Sequence, residues 1–126
     1  MPERVQVKCD GAVADSRVEI RAVVSSEHPQ RVTIKPEGLL LYLYQWYGAG
    51  ECGRTIGCAT DQADNTYTVT VESSDDGGKT FKPSVLRLDT ISTATRPSYT
   101  VITVRSENEG DKDFDDAVVY FSYLAQ

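Results

Sequence analysis

Six of the nineteen acidic residues lie in one short stretch, Ser106-Glu107-Asn108-Glu109-Gly110-Asp111-Lys112-Asp113-Phe114-Asp115-Asp116. Asp111, Asp113 and Asp115 are spaced two apart, Asp116 follows at once, and Glu107 stands four residues before Asp111. Two like charges about 4 Å apart repel by roughly 4 kcal/mol at an effective dielectric near 20. A hard divalent cation removes that repulsion and satisfies the oxygens together. The segment offers only oxygen donors, with no thiolate or imidazole, which argues against zinc and copper. Calcium, with its many oxygens and flexible geometry, suits the spacing better than magnesium, which holds its water.

The competing reading is a solvated acidic loop, the usual fate of a charge run. Against it stand the alternation of acids around Phe114 and the apolar run Ala117–Phe121, which anchors Asp115 and Asp116 at the mouth of a strand. An EF-hand fails: its sixth position should be glycine and is Asp116, and its twelfth should be glutamate and is Ser122.

The elements that must position this loop read as strands. Val18, Ile20, Ala22 and Val24 alternate with Glu19, Arg21 and Val23, a period-2 pattern. Ser25–Gln30 reads as a break, Val32–Ile34 as the returning strand, and Pro36-Glu37-Gly38 as its close. Leu39–Tyr47 is β-rich and aromatic, while Gly48–Ala63, with glycines at 48, 50, 53 and 57, reads as a long excursion. Thr66–Glu72, Val85–Leu88, Tyr99–Arg105 and Ala117–Tyr123 complete the set. No segment combines helical apolar spacing with caps. The expectation is an all-β fold: an antiparallel β-sandwich of eight to nine strands with Greek-key-like connections, residues 1–126 forming a single domain.

Composition narrows the function classes. The net charge of −6 comes almost wholly from the acidic segment, and the Lys and Arg residues are scattered. That gives no basic face for phosphates, so no nucleic-acid partner is expected. The longest greasy stretch, Leu39–Leu43, falls far short of the roughly 20 residues that cross a bilayer, so no membrane insertion is expected. Met1-Pro2-Glu3-Arg4 lacks a signal-peptide layout, and the expectation is cytoplasmic synthesis, with action outside the cell or at its surface left open. Cys52 and Cys58 are spaced for a small disulfide loop, with Cys9 left over, and pairing or free thiols both stand open.

A second motif, Ser74-Asp75-Asp76-Gly77-Gly78-Lys79-Thr80-Phe81, matches S-x-D-x-G-x-T-[FW], the Asp-box hairpin. Its aspartate and hydroxyls are suited to bonding turn amides while the glycines accept positive φ. A self-stabilised hairpin between Thr66–Ser73 and Phe81–Leu88 follows, and a single copy implies no glycosidase.

Ser106-Glu107 followed by Asp111-x-Asp113-Phe114-Asp115-Asp116-Ala117-Val118-Val119 near the C-terminus resembles the calcium-mediated bacterial lectins that bind fucose and mannose. A weaker likeness runs through Arg17–Ser26, and the insertions fall mostly in Gly48–Asp64. The resemblance implies a β-sandwich with two calcium ions side by side, both chelated by vicinal sugar hydroxyls. It implies Glu107 and Asp111 on one ion, Asp113 and Asp116 bridging both, and Asp115 on the second. It further implies a ligand at Ser25, where the family has an asparagine, and the carboxylate of Gln126 from a partner subunit, where the family ends in glycine. Ser26 and Glu27 fall in the implied specificity loop, and Asn108 replaces an acidic residue that contacts sugar. Together with Asp111, Asp113 and Asp116 these form the implied saccharide contacts. Asp115 replaces an asparagine, which makes the cage more negative, and His28 reads first as a surface loop residue.

Three functions follow in order of expectation. The first is a calcium-dependent carbohydrate-binding protein, a homodimer or higher oligomer whose saccharide or glycoconjugate ligand is held by calcium, with avidity from several sites. The second is a structural or adhesive domain whose calcium only stabilises the C-terminal loop. The third, an enzyme, is disfavoured: one histidine is present, and no nucleophile sits in a catalytic setting.

Overall fold

The structure, a computed structural model, describes residues 2–9, 17–37, 44–60, 65–95, 97–107 and 116–125. Eight strands occupy them: β1 Val5–Cys9, β2 Arg17–Pro36, β3 Tyr44–Thr60, β4 Asn65–Ser73, β5 Lys82–Pro83, β6 Val85–Ser92, β7 Ser98–Glu107 and β8 Ala117–Ala125. All pairings are antiparallel. Along the sheet the order is β1-β4-β2-β8-β7-β6, with β3 also on β2 and β5 on β4.

β2 organises the molecule. One of its edges pairs with β3 along almost its whole length, from Arg17↔Thr60 to Ile34↔Tyr44. Its other edge is divided, Glu19–Val24 pairing with β8 and Gln30–Pro36 with β4. The two halves of β2 therefore head two layers, β8-β7-β6 and β4-β1, which share one core. Tyr67 of β4 and Phe121 of β8 meet across it with ring centroids 5.3 Å apart. Val18, Ile20, Ala22 and Val24 of the first half and Val32 and Ile34 of the second are all buried. Each buried Val or Ile side chain contributes about 1.5–3 kcal/mol through removal from water, so period-2 burial on both halves holds the layers together.

Two expectations are corrected here. Ser25–Gln30 does not end a strand, and Val32–Ile34 is not a returning strand, because β2 runs straight through both. The ladder with β3 shifts between Ser26↔Gly50 and Gln30↔Gly48, so two extra residues bulge from β2 around Glu27-His28-Pro29. Two extra residues preserve the alternation, which is why buried positions stay even-numbered on both sides. Gly48–Ala63 is likewise no excursion, since residues 48–60 belong to β3. Its glycines serve the ladder: Gly50, opposite Ser26, has φ +75°, a conformation that side-chain-bearing residues rarely adopt. Leu39–Leu43 lies outside the described residues.

The cysteine question is settled by the same strand. Cys52 and Cys58 are six residues apart on β3, opposite Val24 and Glu19. At about 3.3 Å per residue their Cα atoms are roughly 20 Å apart, far beyond the ~7 Å limit for a bridge. Cys52 is a free thiol that donates to the Ala49 carbonyl at 3.6 Å, and Cys9 is buried in the core.

Candidate functional site

β7 and β8 form the hairpin that carries the acidic segment. Its last rung is Ser106↔Ala117, and on the far side of β8 the rung Val24↔Ala117 joins it to β2. One position further along each strand stand Ser25, Asp116 and Glu107. The Ser25 amide donates to the Asp116 carbonyl at 3.0 Å, and the Asp116 amide to the Ser106 carbonyl at 3.3 Å. Three predicted site residues, distant by up to 91 positions in the chain, thus lie in one cross-strand row at the tip of the sheet.

Ser106 locks that tip. Its hydroxyl accepts the Ala117 amide at 3.0 Å and donates to the Ala117 carbonyl at 3.1 Å, wholly buried. A buried hydroxyl with both functions satisfied rigidifies the rung on which the two carboxylates depend. The sequence motif contained Ser106 without assigning it a role. The signal was a lone polar residue immediately before the acids, at a position whose strand alternation makes it inward-facing.

Glu107 and Asp116 are only 4% and 9% exposed. Like charges directly opposed on neighbouring strands destabilise a sheet, and burial sharpens the cost by removing water. The donor chemistry is hard oxygen throughout, and it fits a hard divalent cation. Asn108, Asp111, Asp113, Asp115 and Gln126 lie outside the described residues.

Ser26, Glu27 and His28 sit on the β2 bulge, adjoining this row. The bulge is held from inside: the Ser26 hydroxyl accepts the His28 amide at 3.2 Å and the Gln30 Nε2 at 3.4 Å. Gln30 Nε2 also donates to the His28 carbonyl at 3.1 Å, and Gln30 itself is fully buried. The Ser74 amide ties the outer side, donating to the Pro29 carbonyl at 3.0 Å. Glu27 is exposed and Ser26 and His28 are half-buried. The loop expected to touch a ligand is therefore a braced projection from a continuous strand. Gln30, which braces it, was missed because a fully buried glutamine in a polar stretch reads as loop.

The Asp-box hairpin takes the expected form. β4 and β5 pair through Glu72↔Pro83 and Ser73↔Lys82. Asp76 Oδ1 accepts the Ser74 hydroxyl at 2.6 Å and the Lys79 and Thr80 amides at 3.0 and 2.9 Å. These bonds, led by those from the Ser74 and Thr80 hydroxyls, hold the Asp76 carboxyl well below the usual carboxylate range. Phe81 then packs outside the sheet, edge-on to Tyr47 at 6.0 Å and beneath the Arg31 guanidinium at 4.4 Å. Arg31 in turn forms a two-bond pair with Glu72 at 2.9 and 2.8 Å. The motif supports the bulge through Ser74, and its aspartate is spent on the turn.

The family model described as fucose-binding lectin II (PA-IIL) matches residues 5–125. Among solved structures, the chain is similar to a Chromobacterium violaceum lectin in complex with alpha-methyl-fucoside, at TM-score 0.63 and 18% identity, covering 93% of this chain and 98% of that one. It is also similar to the Ralstonia solanacearum high-affinity mannose-binding lectin, at TM-score 0.59 and 16% identity over 91% and 95% of the two chains. The C-terminal domain of a Burkholderia cenocepacia lectin aligns at TM-score 0.60 and 16% identity, over 95% and 100%. At these identities the structural likeness speaks for the β-sandwich fold. Comparison with curated protein sequences returns no match.

Proposed function

The chain belongs to the fucose-binding lectin II (PA-IIL) family, and from that premise we propose that this carbohydrate-binding lectin grips its saccharide through bound calcium. The observation that carries the reading is the row Ser25–Asp116–Glu107, which sets two buried carboxylates side by side at the mouth of the acidic segment. In this reading Glu107 and Asp111 would hold one ion and Asp115 a second, with Asp113 and Asp116 available to both. Ser25 would add an oxygen from β2, and Gln126 of a second copy would approach the cage in a homodimer or larger assembly. Bound calcium supplies a Lewis-acidic centre that vicinal sugar hydroxyls can coordinate.

The chain's own residues do the rest. Ser106 fixes the rung that keeps Glu107 and Asp116 opposed. The ligating carboxylates accept charge-assisted hydrogen bonds from the sugar hydroxyls. Ser26, Glu27 and Asn108 border the sugar, and the negative Glu27 on a braced bulge disfavours ligands with a negatively charged group on that side. The fucoside and mannose of the two similar lectins make those two sugars the first to test.

Isothermal titration with fucose, mannose, arabinose and galactose, with calcium and then with a chelator, tests the proposal. Heat that appears only with calcium is expected. A calcium-loaded protein silent toward all four sugars would sink it and favour a purely stabilising calcium. That second reading draws on Ser25, a shorter side chain than the family's asparagine at the matching position.

A further inference from the structure

The chain passes from one layer to the other at two corners, and each corner buries a polar side chain. The first is in β2, where pairing moves from β8, at Glu19–Val24, to β4, at Gln30–Pro36. The second lies between β5 and β6: Lys82 and Pro83 pair with β4, and from Val85 onward the chain pairs with β7. Ser84 is the residue between them, its amide donating to the Val71 carbonyl at 2.8 Å. Gln30 is fully buried and Ser84 is 1% exposed.

Among the described residues, nothing bonds Gln30 Oε1 or Ser84 Oγ. Turning the Gln30 amide round does not cure this. Its nitrogen donates to the His28 carbonyl at 3.1 Å, and an oxygen in that place would face another oxygen. Native proteins leave few buried polar atoms bare, because such atoms have lost their water and gained nothing in return.

Strand register sets both side chains on one wall. Gln30 stands opposite Ser73 on one edge of β4, and Ser84 meets Val71 on the strand's other edge. Val71 and its partner Val32 face the core, and alternation turns Gln30 and Ser84 the same way. Two strand spacings and a two-residue step put their Cα atoms roughly 12 Å apart. That is a little beyond direct reach for a glutamine and a serine, and it suits one water between them.

We propose that an ordered internal water occupies this corner, donating to Gln30 Oε1 and bonded to Ser84 Oγ. Two neutral oxygens are too few for calcium, which takes six to eight, whereas a buried water needs only two to four polar partners. The water ties the β2 bulge to the β5–β6 corner, because Gln30 Nε2 holds Ser26 and His28 on its other side. The site stands whatever the acidic segment binds.

Urea unfolding of the full chain at one fixed calcium concentration tests it. Ser84→Ala should lower the folding constant about two- to tenfold, since it takes a partner from the water. A dry corner predicts the reverse, because removing a bare buried hydroxyl stabilises the fold. In a Gln30→Met background, which keeps the length of the side chain, Ser84→Ala should lose most of its cost, the shared water having already gone. A stabilising Ser84→Ala, or an equal cost in both backgrounds, would overturn the proposal. A high-resolution crystal structure of the unaltered chain decides the matter should Gln30→Met not fold. One water within hydrogen-bond distance of both Gln30 Oε1 and Ser84 Oγ is expected. An empty corner, or an atom at the contact of about 2.3–2.6 Å that marks a calcium ion, would sink the assignment.

Discussion

At the scale of single residues, two carboxylate settings lead to different predictions. Asp76 is exposed yet held well below the ordinary carboxylate range by the Ser74 and Thr80 hydroxyls and two amides. A folded-state pKa lowered in this way adds stability above the unfolded value, about 3.9, and loses it as pH falls below. Asp76→Asn should therefore flatten the dependence of Tm on pH below about pH 4, and a carboxyl-carbon NMR titration of the wild type should find Asp76 still ionised there. Glu107 and Asp116 are buried and opposed, and in the proposed site calcium supplies their counter-charge. Asp116→Asn should lower calcium affinity by about one to two orders of magnitude, because ligand charge count sets the affinity of oxygen sites. Calorimetry of calcium binding reads this directly, and unchanged affinity would remove Asp116 from the ligand set.

At the scale of elements, the bulge in β2 is the feature on which the site's second wall depends. The ladder steps from Ser26↔Gly50 to Gln30↔Gly48, and Gly50 meets the step with φ +75°. A Cβ there touches nothing within 4 Å, so the cost of Gly50→Ala is conformational, about 1–2 kcal/mol. Chemical denaturation should show that loss. Amide shifts should spread to Ser26, Glu27 and His28 if the bulge relaxes with it. The bulge was only half legible in sequence. Pro29 among polar residues marked a local break, yet two extra residues leave the period-2 phase unaltered, so a pattern reader sees an ending where the strand continues. β3 hid for a related reason: its glycines weaken the apolar signal, and the backbone of β2 does the pairing for it.

At the scale of the whole molecule, both layers close over one core, and Phe121 is its cross-layer contact with Tyr67. Phe121→Ala should cost about 3–5 kcal/mol and lower Tm sharply, without altering the chemistry of the acidic segment. Calcium should act in the opposite direction. At 100 times its dissociation constant an ion that binds only the folded chain adds about 2.7 kcal/mol. A melt with calcium should therefore rise, and a further rise with sugar separates a lectin from a domain that calcium merely braces. Reducing agent should leave Tm unmoved, since Cys52 and Cys58 lie far apart on one strand.

By itself the sequence determined the all-β class, the identity and order of the acids in the C-terminal segment and the Asp-box turn, all features written in local spacing. The alternation of Val18–Val24 and Thr66–Glu72, the S-x-D-x-G-x-T-F motif and the D-x-D-x-D run each depend on residues within a few positions of one another. Only the tertiary structure decided that Ser25 lies against Asp116, that Ser106 clamps the rung beneath both carboxylates, and that Cys52 cannot reach Cys58. Those facts depend on strand register, which is set by long-range pairing and packing rather than by neighbours in the chain.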